Sequence, residues 1–134
     1  MDVYLNFAGN CREAFEFYRS VFGGEFTVVQ TFGDAPQQAQ MPEGLADRIM
    51  HIRLPLGASL LMGSDVFDDA EHFVGSNVQL SLAPESREAC DRLFAALSDG
   101  GEVESAPQEM FWGAYFASCR DRFGIRWMLN HELD

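Results

Sequence analysis

Apolar positions follow two periods along this chain, and the switches between them mark out the elements. Val3 to Ala8 predicts a strand that Gly9-Asn10 breaks. From Arg12 to Phe22, Ala14, Phe17, Tyr18 and Val21 recur at helical spacing and give one apolar face. Asn10 is placed to cap that helix, and Gly23-Gly24 ends it, because glycine adopts the left-handed terminal conformation at little cost. Phe26 to Thr31 predicts a second strand. Gly33 to Ala46, with Pro36, Pro42 and three Gln, reads as a loop or lid. Arg48 to Leu54 and Ser59 to Met62 read as strands joined by a tight turn at Pro55-Leu56-Gly57.

The same order then returns. Asn77 to Leu82 predicts a strand, and Ser86 caps a helix that runs to about Leu97 with an Ala89, Cys90, Leu93, Leu97 stripe. Gly100-Gly101 stops it, and a strand near Glu102 to Ser105 follows. A loop passes through Phe111-Trp112-Gly113. The closing hairpin is Tyr115 to Cys119 and Ile125 to His131, turned at Asp121 to Gly124.

Residues match as well as elements. Cys11-Arg12-Glu13-Ala14 corresponds to Ser86-Arg87-Glu88-Ala89, a step of 75 (86 − 11). Gly23-Gly24-Glu25 corresponds to Gly100-Gly101-Glu102, a step of 77 (100 − 23), which implies two residues inserted in the second helix. The repeated order strand, helix, strand, strand, strand favours duplication over a ferredoxin-like arrangement. The expected fold class is therefore α+β, one domain over residues 1–134 made of two βαβββ modules, about 1–70 and 71–134.

Composition narrows the function. The chain has 134 residues, 47% of them hydrophobic, which suits one folded domain. All nine cations are Arg, against 21 acids, for a net charge of −12. Without Lys there is no Schiff-base chemistry, and a strongly acidic chain is a poor partner for nucleic acid. No apolar run is long enough to span a membrane, and no secretory signal opens the chain, so a cytoplasmic protein is expected. Cys11, Cys90 and Cys119 form no CxxC pair, which fits a reducing compartment and no zinc site. The acidic stretch Asp65, Asp68, Asp69, Glu71 lacks the spacing of an EF-hand loop and reads as solvated.

Tyr4 to Ala14, Phe17-Tyr18 and Phe22-Gly23-Gly24, together with Gln108 to Gly113 and Asp121 to Asn130, resemble the PhnB-like branch of the vicinal-oxygen-chelate (glyoxalase/bleomycin resistance/dioxygenase) superfamily. The resemblance spans nearly the whole chain. It implies a curved, antiparallel-rich mixed sheet around a cup, and a homodimer. It does not fix an activity, because the superfamily holds lyases, transferases, oxygenases and binding proteins. The superfamily's metal positions carry over to Val3, Leu61, Asn77 and Met128. None of these is a His or a carboxylate, so no metal and no cofactor is expected. Some relatives bear the name of quinone-intermediate methyltransferases, yet no glycine motif for a nucleotide-bearing methyl donor is present.

Strand alternation supplies candidate site residues. Met50, Ile52 and Leu54 should face the helices, leaving His51 and Arg53 opposite. Val78, Leu80 and Leu82 should do the same and leave Asn77, Gln79 and Ser81 opposite. In the last strand, Ile125, Trp127 and Leu129 leave Arg126, Met128 and Asn130. Under the implied fold the second set lines the cup, with Val3, Leu5 and Phe7 as apolar wall. The expected ligand-binding residues are Phe7, Arg53, Asn77, Gln79, Trp112, Met128 and Asn130. Arg53 suits a carboxylate or phosphate, and Trp112 suits stacking at the rim. His51 and Glu109 are candidate acid–base residues, while His72 and His131 are expected in solvent. Three functions stay open: a small-molecule binder, a metal-independent lyase or isomerase acting on an oxygen-bearing metabolite, and a structural or regulatory dimer.

Overall fold

The computed structural model describes residues 1–35 and 44–134. The chain divides into two compact units, Met1–Phe73 and Val74–Asp134. The first contains β1 (Val3–Phe7), α1 (Cys11–Phe22), β2 (Val28–Thr31), β3 (Ile49–Leu56) and β4 (Ser59–Asp65). The second contains β5 (Leu80–Leu82), α2 (Arg87–Ser98), β6 (Glu102–Met110), β7 (Ala114–Arg120) and β8 (Arg126–Glu132). Their sheet orders correspond: β1-β4-β3-β2 in one and β5-β8-β7-β6 in the other. In each, the first strand runs parallel to the last and the other pairs are antiparallel. The βαβββ unit thus occurs twice, as the sequence predicts.

The helices sharpen the repeat. Both have 12 residues, and both ends are 76 positions apart (87 − 11 and 98 − 22). Relative to the matched motif α2 begins one position later than α1, and Asp99 separates its end from Gly100-Gly101, so the helix itself is not lengthened. α1 buries Cys11, Ala14, Phe15 and Tyr18 against its sheet, so Phe15 takes the core position expected of Phe17. α2 buries Ala89, Cys90, Phe94 and Leu97, with Phe94 in place of Leu93.

Loops correct three further expectations. Pro55 and Leu56 belong to β3, so the turn is Gly57-Ala58, where Gly57 has φ +59°. Gln30 pairs with His51 but Thr31 pairs with Ile49, so Met50 is the extra residue of a bulge. That bulge turns Ile49, not Met50, into the core. Asn77, Val78 and Gln79 precede β5, and Val78 is 67% exposed instead of packed. The loop-or-lid reading of Gly33 to Ala46 falls outside the described residues from 36 to 43.

The core of the first unit is one face of its sheet under α1. Phe7, Ile52, Leu54 and Leu61 are buried there, and Phe7 meets Phe15 edge to face at 6.3 Å. Gly63 lies beneath Phe15, where an added Cβ would come within 2.6 Å of the ring. In the second unit Ala117, Cys119, Trp127 and Leu129 form the corresponding layer under α2.

Candidate functional site

Because neighbouring strand residues in register point to the same side, the face opposite α1 can be read directly. Tyr4 lies beside Met62, Met62 beside Arg53, and Arg53 beside Val28. One step along, Asn6 lies beside Ser64 and Gln30 beside His51. Tyr4 and His51 are joined, with the hydroxyl 3.1 Å from Nδ1 and the rings stacked at 5.7 Å. That contact occupies Nδ1 and sets the plane of the imidazole, leaving Nε2 for another partner. The open face therefore mixes apolar and polar groups: Tyr4, Met62 and Val28 beside Arg53, His51 and Gln30.

Arg53 is the arginine with a buried, unpartnered guanidinium nitrogen among the described residues. Arg19, Arg48, Arg87, Arg122 and Arg126 each meet an acid. Arg53 is half-buried in a central strand, and no described residue gives its guanidinium a hydrogen bond or a carboxylate. Its Nε is buried without a partner.

The face opposite α2 gathers a second group. Phe116 pairs with Asn130 and Ser118 with Met128. Trp112, in the turn between β6 and β7, donates to Asn130 Oδ1 at 3.4 Å and meets Phe116 edge to face at 5.7 Å. Asn130 also lines an open groove of about 340 Å³ with Ser81, Pro84 and Glu85. The expected group Trp112, Met128 and Asn130 is thus assembled. Asn77 and Gln79 are exposed in the segment before β5 and do not share that strand's open face.

Two expected residues lie on the other side. Phe7 is 2% exposed beneath α1, so it is core and not cup wall. Glu109 is in register with Tyr115, whose hydroxyl donates to Asp91 on α2, and its own carboxylate is paired with Arg87. The parity of β6 and β7 carries Glu109 to the helix side, where Arg87 occupies it. The two remaining histidines are half-buried and bonded instead of solvated: His72 Nε2 to Asn6 O at 3.1 Å, His131 Nδ1 to Pro84 O at 2.9 Å.

Parity also tests the inherited metal positions. Val3 and Leu61 are in register and share the α1 side with Phe7 and Leu54, so neither faces the open side. The residues that do face it beside them are Tyr4 and Met62. Neither is a His or a carboxylate; in the second unit Met128 faces the side opposite α2, while Asn77 precedes β5. A phenol and a thioether do not fit a hard divalent cation. Among the described residues no three His, Cys, Asp or Glu come together. The three thiols are buried, and burial pushes the pKa of each upward, that of Cys119 to about 11, which removes them as nucleophiles near neutral pH.

Among the described residues each unit has one buried carboxylate that ties its own segments together, and Asp65, expected in a solvated acidic stretch, is one of them. Asp65 is 3% exposed and accepts from the backbone N–H of Gly9, Cys11 and Ile49 at 2.8, 3.0 and 2.8 Å. Asp121 is 2% exposed and accepts from Phe123 N, Ile125 N and Trp127 Nε1. Asp65 ends the largely apolar strand β4 and precedes Val66, a signal that could have marked it as buried.

Known proteins place the chain. The family described as 3-demethylubiquinone-9 3-methyltransferase matches residues 1–130. Protein YjdN of Escherichia coli K12 is 33% identical over 138 residues, covering 97% of this chain and 93% of that one. Protein PA1353 of Pseudomonas aeruginosa is 40% identical, with TM-score 0.85 over 100% of this chain and 99% of that one. A PhnB protein from Bacillus cereus, 20% identical with TM-score 0.81 over 98% of each chain, shares the fold, as do glyoxalase/bleomycin resistance/dioxygenase enzymes. With two matching βαβββ units, the fold seen in PhnB and glyoxalase/bleomycin resistance/dioxygenase structures, and a family match running from its first strand into its last, the chain belongs to the 3-demethylubiquinone-9 3-methyltransferase family.

Proposed function

We propose that the chain is a small-molecule-binding protein whose ligand lies on the open face of the first module's sheet. One observation carries this reading: an ordered Tyr4–His51 pair beside Met62 and Arg53, on the sheet face that α1 does not cover. Apolar surface with a few fixed polar groups is what a small ligand needs for affinity and orientation. The donor set offers no support for a divalent cation, so no step is routed through one. In this reading the chain is a single domain, and Trp112, Met128 and Asn130 on the open face of the second unit's own sheet are a second set of ligand-binding residues. A homodimer and a cytoplasmic setting go with it. Phe111, 98% exposed, is apolar surface that a second copy could cover, and three free thiols suit a reducing compartment.

A thermal-shift screen with metabolites and divalent ions tests the proposal, since a ligand that prefers the folded state raises the midpoint. The expected result is a shift with organic metabolites that Met62→Trp, which fills the open face, abolishes. Hits unaffected by that change, or shifts with divalent ions alone, would overturn it. A second reading, metal-independent acid–base catalysis, rests on His51, whose Nε2 is left for a substrate proton. His51→Gln separates the two: loss of turnover with retained binding supports the enzyme, and unchanged behaviour supports the binder.

A further inference from the structure

We infer that Arg53 is the anchor for an anionic group, and that the ligand is a small organic carboxylate or phosphate with an apolar body. This deepens the proposed binding role and rests on it. Among the described residues Arg12, Arg92 and Arg120 also meet no acid, but only Arg53 has a buried guanidinium nitrogen without a partner. Arg53 is also not at a margin: β3 is paired on both sides, with β2 and β4. A half-buried cation whose Nε finds no partner among the described residues has lost hydration there without compensation, which makes it a place for something else to bind.

The surroundings select the class. Arginine presents a planar fork of donors that matches carboxylate or phosphate oxygens in a bidentate pair. His51 lies two residues along the same strand face, about 7 Å away by strand rise. With Tyr4 holding Nδ1, its Nε2 can reach a second oxygen of the same ligand. Met62 and Val28 flank Arg53 in register, and Tyr4 flanks Met62, so the ligand's body meets thioether, aliphatic and aromatic surface. No acidic residue stands in register with Arg53 to repel an anion.

Isothermal titration with the matched pair benzoate and benzamide, and with inorganic phosphate, decides the matter. The intact chain should bind benzoate at least about tenfold more tightly than benzamide, with an affinity that falls as salt is raised. Arg53→Gln should erase the preference, Arg53→Lys should retain part of it, and Arg92→Gln, an exposed helix position, should leave it intact. Thermal midpoints of all variants control for folding. Equal binding of benzoate and benzamide overturns the anion anchor while leaving the small-molecule reading standing. So does a preference that survives Arg53→Gln, or no binding of benzoate or phosphate at millimolar concentration. If Arg53→Gln dissociates a dimer without changing benzoate binding, the guanidinium holds a carboxylate of a second copy, and the inference falls.

Discussion

Asp65, the last residue of β4, accepts the backbone N–H of Cys11, the first residue of α1, at 3.0 Å. The same carboxylate takes the N–H groups of Gly9 and Ile49, so one buried side chain joins the end of one strand, the start of another and the helix between β1 and β2. Asp65→Ala would strand the buried donors of Cys11 and Ile49 and the part-buried one of Gly9, and should cost about 3–5 kcal/mol. Urea denaturation of the full chain would show this as a lower midpoint. A midpoint equal to the parent's would mean that water replaces the carboxylate without loss.

That bond also changes what caps the helices. Ser86 accepts Ala89 N at 3.0 Å and caps α2 with its own hydroxyl, whereas Asn10 makes no side-chain cap bond at α1. Ser86→Ala should therefore cost about 1 kcal/mol, and Asn10→Ala far less. Equal losses in chemical denaturation would contradict the asymmetry.

Gly63 is small because Phe15 needs the space. A methyl group there would sit 2.6 Å from the ring and 3.0 Å from Leu5 O. Gly63→Ala should lower stability by about 1–3 kcal/mol, and Phe15→Leu in the same chain should recover part of it. A purely additive double-mutant cycle would show that the ring is not the obstacle.

The buried thiols make stability depend on alkaline pH. Burial raises the folded Cys119 thiol from 9.0 to about 11, and Cys11 moves in the same direction. Above pH 9 the unfolded chain gives up a proton that the folded chain keeps, so the native state binds more protons and stability falls as pH rises towards 11. Cys119→Ala should flatten that fall, and Cys11→Ala with it should flatten it further. Denaturant midpoints measured from pH 8 to 11 provide the check.

Glu109 is engaged by Arg87 on the helix side, and both are exposed. Glu109→Gln should leave ligand-induced thermal shifts unchanged, because the residue is not on the open face. A lost shift would return it to the site.

Periodicity carried most of the fold because burial imposes it. The β8 alternation placed Trp127 and Leu129 inside and Met128 and Asn130 opposite, and register confirms the two sides. It failed where the backbone breaks its own period: the bulge at Met50 shifts the parity of β3, and residues 77–79 stop short of the β5 ladder. The site was legible in part. His51 and Arg53 could be paired by counting along one strand. Their neighbour Tyr4 could not, because which strand lies beside which, and in what register, depends on contacts remote in sequence. The same gap misplaced Phe7 and Glu109, whose sides are set by α1 and α2 and not by their own segments.

The parallel pairing of β1 with β4 has a temporal consequence. A chain leaving the ribosome offers β1 no neighbour until residue 59 follows it out, since β1 touches no other strand of its sheet. The same wait recurs between Leu80 and Arg126. Each half thus closes only with the last strand made, and a truncated product ending inside β3 leaves its opening strand with an unmet edge, open to recruitment by another nascent chain.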